Sequence, residues 1–332
     1  MIRRPAHALA APLAAGALLA LAVPLLGASP GESEFPPGME ARTAAVDVAA
    51  PDANTIVMDA DRSARMTVPV TVEGEGPFHF MVDTGSQATA VTREMGERLA
   101  LPAAGRATLV GMASRRVVDL VELNGLEIGT SIFDDIRAPV LERKHVGADG
   151  IIGLDNLQDF RVLLDFRDNS MSLAEGQAAR DRRGYEIVVR ARRNEGQLVI
   201  TEALVEGVRA AVIIDTGSQA SIGNTALQRR IRARRKGETS STDVNGAVLI
   251  GEYAIARSLK IDQIELTNLV ISYADTPAFA ALGYERRPVL SLGMNHLRMF
   301  DRVAIDFDKR RVLFDMPPGS KRNRPRRFDL PQ

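Results

Sequence analysis

Met81-Val82-Asp83-Thr84-Gly85-Ser86-Gln87-Ala88 returns 132 positions later as Ile213-Ile214-Asp215-Thr216-Gly217-Ser218-Gln219-Ala220. The six residues from Asp to Ala are identical in the two copies, and each copy follows an apolar run. A single Asp-Thr-Gly in a chain of 332 residues carries little information, whereas a duplicated and extended one marks an internal repeat. The residue types say what such a segment does. An apolar strand delivers a carboxylate to a sharp turn, and glycine lets the backbone bend and approach a neighbour closely. Hydroxyls beside the carboxylate can hold it by hydrogen bonds. If the two copies face one another, Asp83 and Asp215 cannot both ionise cheaply, so the pair keeps one proton between them. Such a pair is at once a general base and a general acid.

Two apolar residues followed by Asp-Thr-Gly-Ser resemble the active-site signature of aspartic proteases of the pepsin and retropepsin type, over roughly residues 60 to 316. The resemblance implies an all-β fold of two similar β-barrel lobes related by a pseudo-two-fold, with one aspartate from each lobe in the cleft between them. Asp83 and Asp215 are carried over as catalytic. By the same likeness, Ser86 and Ser218 hydrogen-bond the outer carboxylate oxygens, Thr84 and Thr216 tie the loops across the interface, and Gly85 and Gly217 complete the turns. The implied reaction hydrolyses a polypeptide with water activated between the aspartates, using no covalent intermediate, cofactor or metal. Single-lobe retropepsins must dimerise, so a chain holding both half-sites is expected to act as a monomer. The alternative is a catalytically inactive peptide-binding module on the same fold. That reading needs one carboxylate lost or occluded, and neither motif is damaged.

Composition narrows the chemistry further. The apolar share of 45% suits a chain that buries a real core. The absence of cysteine removes disulfides, thiolate metal sites and any cysteine nucleophile. The four histidines, His7, His79, His145 and His296, lack ligand spacing, and neither Asp59/Asp61 nor Asp134/Asp135 has further ligands at calcium-loop spacing. Charge is balanced overall but uneven: residues 51–178 hold 12 Lys/Arg against 20 Asp/Glu, and residues 179–332 hold 27 against 18. Complementary lobes and a solvated basic tail account for this. The basic run from Arg229 to Lys236 has no aromatic residues to stack bases, so nucleic acid is not an expected partner.

Read in order, the chain opens with Met1-Ile2-Arg3-Arg4 and an Ala/Leu-rich run, the layout of an export signal over 1–28 or an uncleaved membrane anchor. A periplasmic or secreted location follows as an expectation. Residues 29–55 read as a flexible linker, 56–174 as the first lobe, 175–184 as an interlobe linker, 185–318 as the second lobe and 319–332 as a basic tail. From Met66 the apolar period becomes two. A hairpin turning at Glu73 to Gly76 ends on Asp83, and a second turning at Glu206-Gly207 ends on Asp215. Helices are predicted from Thr92 to Leu99 and from Asn224 to about Arg232, with Thr92 and Asn224 as N-caps. Gly-centred turns follow at Thr108 to Ser114 and Asp243 to Val248. By position in the family these are the flaps, with Gly111, Met112 and Gly246 at their tips. A second repeat, Ile151-Ile152-Gly153-Leu154 against Ser291-Leu292-Gly293-Met294, matches the strand that threads behind each active-site loop in the family.

Overall fold

The computed structural model describes residues 2–5, 14–16, 55–57, 59–60, 66–158, 160–174, 185, 187–194 and 197–317. The export signal, both linkers and the basic tail expected from sequence lie outside the described residues, apart from the short strands Ile2–Pro5, Ala14–Gly16 and Thr55–Val57.

Each half begins with the hairpin its alternating pattern demands. Met66–Val72 pairs antiparallel with Glu75–Val82, and the alternation buries Val68, Val70, Val72, Phe78, Phe80 and Val82. Gln197–Val205 and Val208–Ile214 repeat the unit, with Val205, Ala210, Val212 and Ile214 inside. Both hairpins turn on Glu-Gly. Glu73 and Gly74 have φ of 49° and 81°, and Glu206 and Gly207 have 48° and 81°. Positive φ at both central residues matches the twist of the flanking strands, and glycine makes the second position inexpensive.

The second repeat then locks each hairpin from behind. Gly150–Ile152 runs parallel to Phe80–Val82, and Val289–Leu292 runs parallel to Ala211–Ile214. The glycine that follows each is obligatory for space. A Cβ at Gly153 would overlap the backbone of Ala88, and one at Gly293 would overlap the Ala220 carbonyl. The predicted helices form as Arg93–Arg98 and Thr225–Ile231. Thr92 accepts from Met95 N and Asn224 from Leu227 N, as expected of N-caps.

A six-stranded sheet joins the halves. Its order is Ile187–Arg190, Arg311–Asp315, Arg302–Asp306, Arg161–Asp165, Ser170–Ala174 and Thr55–Val57, so strands of both halves share one ladder. At its centre Arg161 stands opposite Asp306 and Asp165 opposite Arg302, about the pair Leu163/Ala304. Arg161-Val162-Leu163-Leu164-Asp165 and Arg302-Val303-Ala304-Ile305-Asp306 match at an offset of 141 in the sequence, and exchanging each residue for its equivalent maps this register onto itself, which is the mark of a local two-fold. Phe300, Phe307 and Phe314 fill the core beside it, and the buried Arg311–Asp306 pair closes the ladder at 2.8 Å. The architecture is all-β, in two similar lobes with curled sheets.

Candidate active site

Each repeated turn is built by its own backbone. Asp83 N donates to Ile152 O at 3.0 Å and Asp215 N to Leu292 O at 3.1 Å, so the strand behind fixes where each aspartate leaves the sheet. Asp83 Oδ1 then accepts from Gly85 N at 2.8 Å and Ser86 N at 3.0 Å, and Asp215 Oδ1 accepts from Ser218 N at 3.0 Å. Both carboxylates are buried. Burial holds the Asp215 carboxyl above its ordinary range, against the pull of its hydrogen bonds from Ser291, Ser218 and Gly217.

The two loops interlock through their threonines. Thr84 Oγ1 donates to Ile214 O at 2.8 Å, and Thr216 Oγ1 donates to Val82 O at 2.7 Å. In return Thr84 N donates to Thr216 Oγ1 at 3.0 Å, and Thr216 N to Thr84 Oγ1 at 3.3 Å. Every bond has its mirror, so the same two-fold that orders the central sheet passes between the loops. A further contact brings the carboxylate of one lobe onto the loop of the other. Any Cβ on Gly217 would overlap the Asp83 carboxyl group, so only glycine fits there.

One expectation fails here. The Ser86 and Ser218 hydroxyls do not reach the carboxylates. Ser86 Oγ donates to Ala88 O at 2.9 Å and Ser218 Oγ to Ala220 O at 2.8 Å. Each hydroxyl closes a local turn two residues on, a common use of serine. The serine backbone N–H takes the carboxylate instead. A different hydroxyl serves Asp215: Ser291 Oγ donates to its Oδ2 at 2.7 Å. Sequence reasoning missed Ser291, although the signal is present, because it breaks the apolar pair that Ile151-Ile152 keeps in the first lobe. Gln197 was missed as well, without any such signal. Its buried Nε2 donates to Gly85 O at 2.6 Å, bracing the first loop from the second lobe.

The strand after each loop is pinned in parallel ways. Thr89 Oγ1 donates to Asp155 Oδ1 at 2.7 Å and accepts from Gly153 N, while Ser221 Oγ contacts His296 Nδ1 at 2.6 Å and accepts from Gly293 N. Burial pushes the Asp155 carboxyl up to about 6, with the bonds from Thr89 and Asn156 opposing it. The sign of its linkage follows. A carboxyl raised in the folded state contributes stability below its unfolded pKa of 3.8 and loses it as pH rises through about 6. Asp155→Asn, which reproduces Asn295 of the second lobe, is expected to flatten this loss. With the side chain's partial exposure allowed for, the change between pH 4 and pH 7 is on the order of 1 kcal/mol, readable by denaturant titration at both values. An unaltered pH dependence would count against it.

The expected flap residues meet at the tips of two long hairpins. One is Ala103–Val110 with Arg115–Leu123, and the other is Gly237–Thr242 with Val248–Ile261. Met112 from the first tip lies in one apolar cluster with Ile213, and Val244 from the second lies in another with Met81 and Ile151. Ile213 and Met81 each lie two residues before an aspartate, on the face of the strand that points the same way. Each tip therefore crosses to the apolar cluster of the opposite lobe. Asp243, buried in the second tip, joins the two. Its Oδ2 accepts from Ala113 N at 3.1 Å and Ser114 Oγ at 2.8 Å, and its Oδ1 from Asn245 N at 3.0 Å and Ala247 N at 2.9 Å. Gly246, with φ of 82°, completes that turn against the ring of His145.

No curated protein matches this chain. A family model described as aspartyl protease matches it twice, over residues 68–156 and 201–296, one match for each Asp-Thr-Gly-Ser loop and the strand behind it. Together the two matches cover more than half of the 332 residues. The chain belongs to the aspartyl protease family.

Proposed function

We propose that the chain is an aspartic endopeptidase in which Asp83 and Asp215 activate a water against the carbonyl of a peptide bond. The observation that carries this reading is the reciprocal Thr84–Thr216 lock, with the Asp83 carboxylate seated on Gly217, which brings both aspartates into one buried site. One carboxylate, ionised, takes a proton from water as its oxygen bonds to the carbonyl carbon. The other, protonated, gives its proton to the carbonyl oxygen. In the second half the tetrahedral carbon loses the amine: a diol hydroxyl returns a proton to one carboxylate, and the other carboxyl protonates the leaving nitrogen. The pair ends as it began, holding one proton.

In this reading the two tied tips act as flaps over the cleft and set the order of events. A peptide reaches the aspartates only when the flap tips part, which breaks the Ala113 and Ser114 bonds to Asp243 and lifts Met112 and Val244 out of their apolar contacts. Apolar substrate side chains on both sides of the cut replace those contacts best. Cleavage of a random peptide library by the purified protein tests the reading. Internal cuts between apolar residues are expected. Peptides that bind and emerge whole would favour the inactive module instead. Because one chain supplies both loops and both tips, the active species is expected to be a monomer. Light scattering on the active fraction checks this, and activity that vanishes on dilution in step with a dimer would oppose it.

A further inference from the structure

The two aspartates stand in unequal surroundings, and the difference lies in the strand behind them. Ser291 pairs with Ile213 in the second lobe as Ile151 pairs with Met81 in the first. The two positions are equivalent, yet one carries a hydroxyl and the other a branched alkyl group. Ser291 is fully buried, and its hydroxyl is spent on Asp215 Oδ2 at 2.7 Å. We infer that Ser291 is a positioning residue that keeps Asp215 as the ionised member of the pair, so that Asp215 takes the proton from water and Asp83 supplies the one given to the carbonyl. This rests on the proteolytic reading of the site.

The argument is electrostatic and geometric. A hydroxyl that donates to a carboxylate strengthens when that oxygen is charged, and in a buried site the gain is larger than in water. Ile151 offers no donor to its own lobe's aspartate. The group that competes for the proton is Asp83, whose carboxyl lies against Gly217 beside Asp215. The remaining neighbours on the supporting strands, Ile213, Ile214, Leu290 and Leu292, are aliphatic. Met112 of the first tip shares an apolar cluster with Ile213, and the buried carboxylate of the second tip, Asp243, has its oxygens taken up by Ala113, Ser114, Asn245 and Ala247. A hydroxyl on one side of a shared proton then decides where the proton stays.

Titration of the aspartate side-chain carboxyl carbons by 13C NMR tests this without turnover. Asp83→Asn removes the coupling and isolates Asp215, and Asp215→Asn isolates Asp83. Asp215 is expected to ionise at the lower pH of the two. Ser291→Ala in the Asp83→Asn background is expected to raise the Asp215 midpoint by about one to two pH units, the worth of a hydrogen bond to a charged group, and Ser291→Thr to restore it. In the active protein Ser291→Ala moves the acid limb of the rate profile upward by the same amount. Should Ser291→Ala fail to fold, Ser291→Cys, a weaker donor, is expected to shift the midpoint in the same direction by less. An Asp215 midpoint indifferent to residue 291, or one above that of Asp83, overturns the inference. Protein that cuts no peptide while its Asp215 still responds to Ser291 overturns the proteolytic reading alone.

Discussion

Asp83→Asn and Asp215→Asn are each expected to lower peptide hydrolysis by about 10³-fold or more, with the fold intact. A positioned acid–base group is worth about 10²–10⁴-fold. Here each replacement removes one member and also the proton the two share, so the upper part of that range applies. Asn matches Asp in shape: at position 83 its oxygen can still accept from both Gly85 N and Ser86 N, and at position 215 its oxygen keeps Ser218 N while its amide nitrogen donates to Ser291 Oγ. Removing a charge from a buried position costs the fold little. Circular dichroism and the thermal midpoint should therefore stay near those of the parent while single-turnover cleavage disappears. The parent's rate should follow a bell in pH, falling where both carboxyls are protonated and again where both ionise. Burial holds Asp215, the member that ionises first, above the ordinary carboxylate range, so the acid limb is itself raised and the optimum beyond it is mildly acidic. Well-folded Asp215→Asn protein cutting at the parent rate would sink the assignment.

Much of this site was legible in the sequence because its signals are local. The Glu-Gly turns, the alternating strands ending on Asp83 and Asp215, and the caps Thr92 and Asn224 each depend on neighbours within a few positions. Duplication supplied the long-range step, since two copies of one loop need a common axis to make one site. What stayed hidden depends on where a side chain points after the lobes pack. Ser86 and Ser218 have the right hydroxyls, but each finds a carbonyl two residues on before any carboxylate. Asp243 looks like an ordinary turn residue, and only the meeting of the two hairpins turns it into the tie between tips. The shared sheet was equally silent. Arg161–Asp165 and Arg302–Asp306 read as matching strands of separate lobes, and nothing local says that they pair with each other.

The threonine lock carries the second large effect. Thr84→Val keeps the shape of the side chain but deletes the hydroxyl, which at once deprives Ile214 O of a donor and Thr216 N of an acceptor. Thr216→Val does the same to Val82 O and Thr84 N. All of these groups sit at a buried interface that water does not reach, so each orphaned partner costs about 1–3 kcal/mol. A single replacement, which orphans two such groups, is therefore expected to lower the unfolding free energy by about 2–6 kcal/mol. The double variant should cost less than twice that, because the two hydroxyls lie 3.4 Å apart in one network and the second deletion finds fewer bonds left to break. Activity should fall further than stability alone explains. The lock sets the spacing of the two carboxylates, and a misplacement of about 1 Å costs about 10²-fold. Thr84→Ser, which keeps the hydroxyl and loses only a methyl, should recover most of both. Denaturant midpoints and cleavage rates for Val and Ser at each position decide the matter. Thr84→Val protein with parent stability and parent rate would show that the reciprocal bonds contribute nothing to bringing Asp83 and Asp215 together.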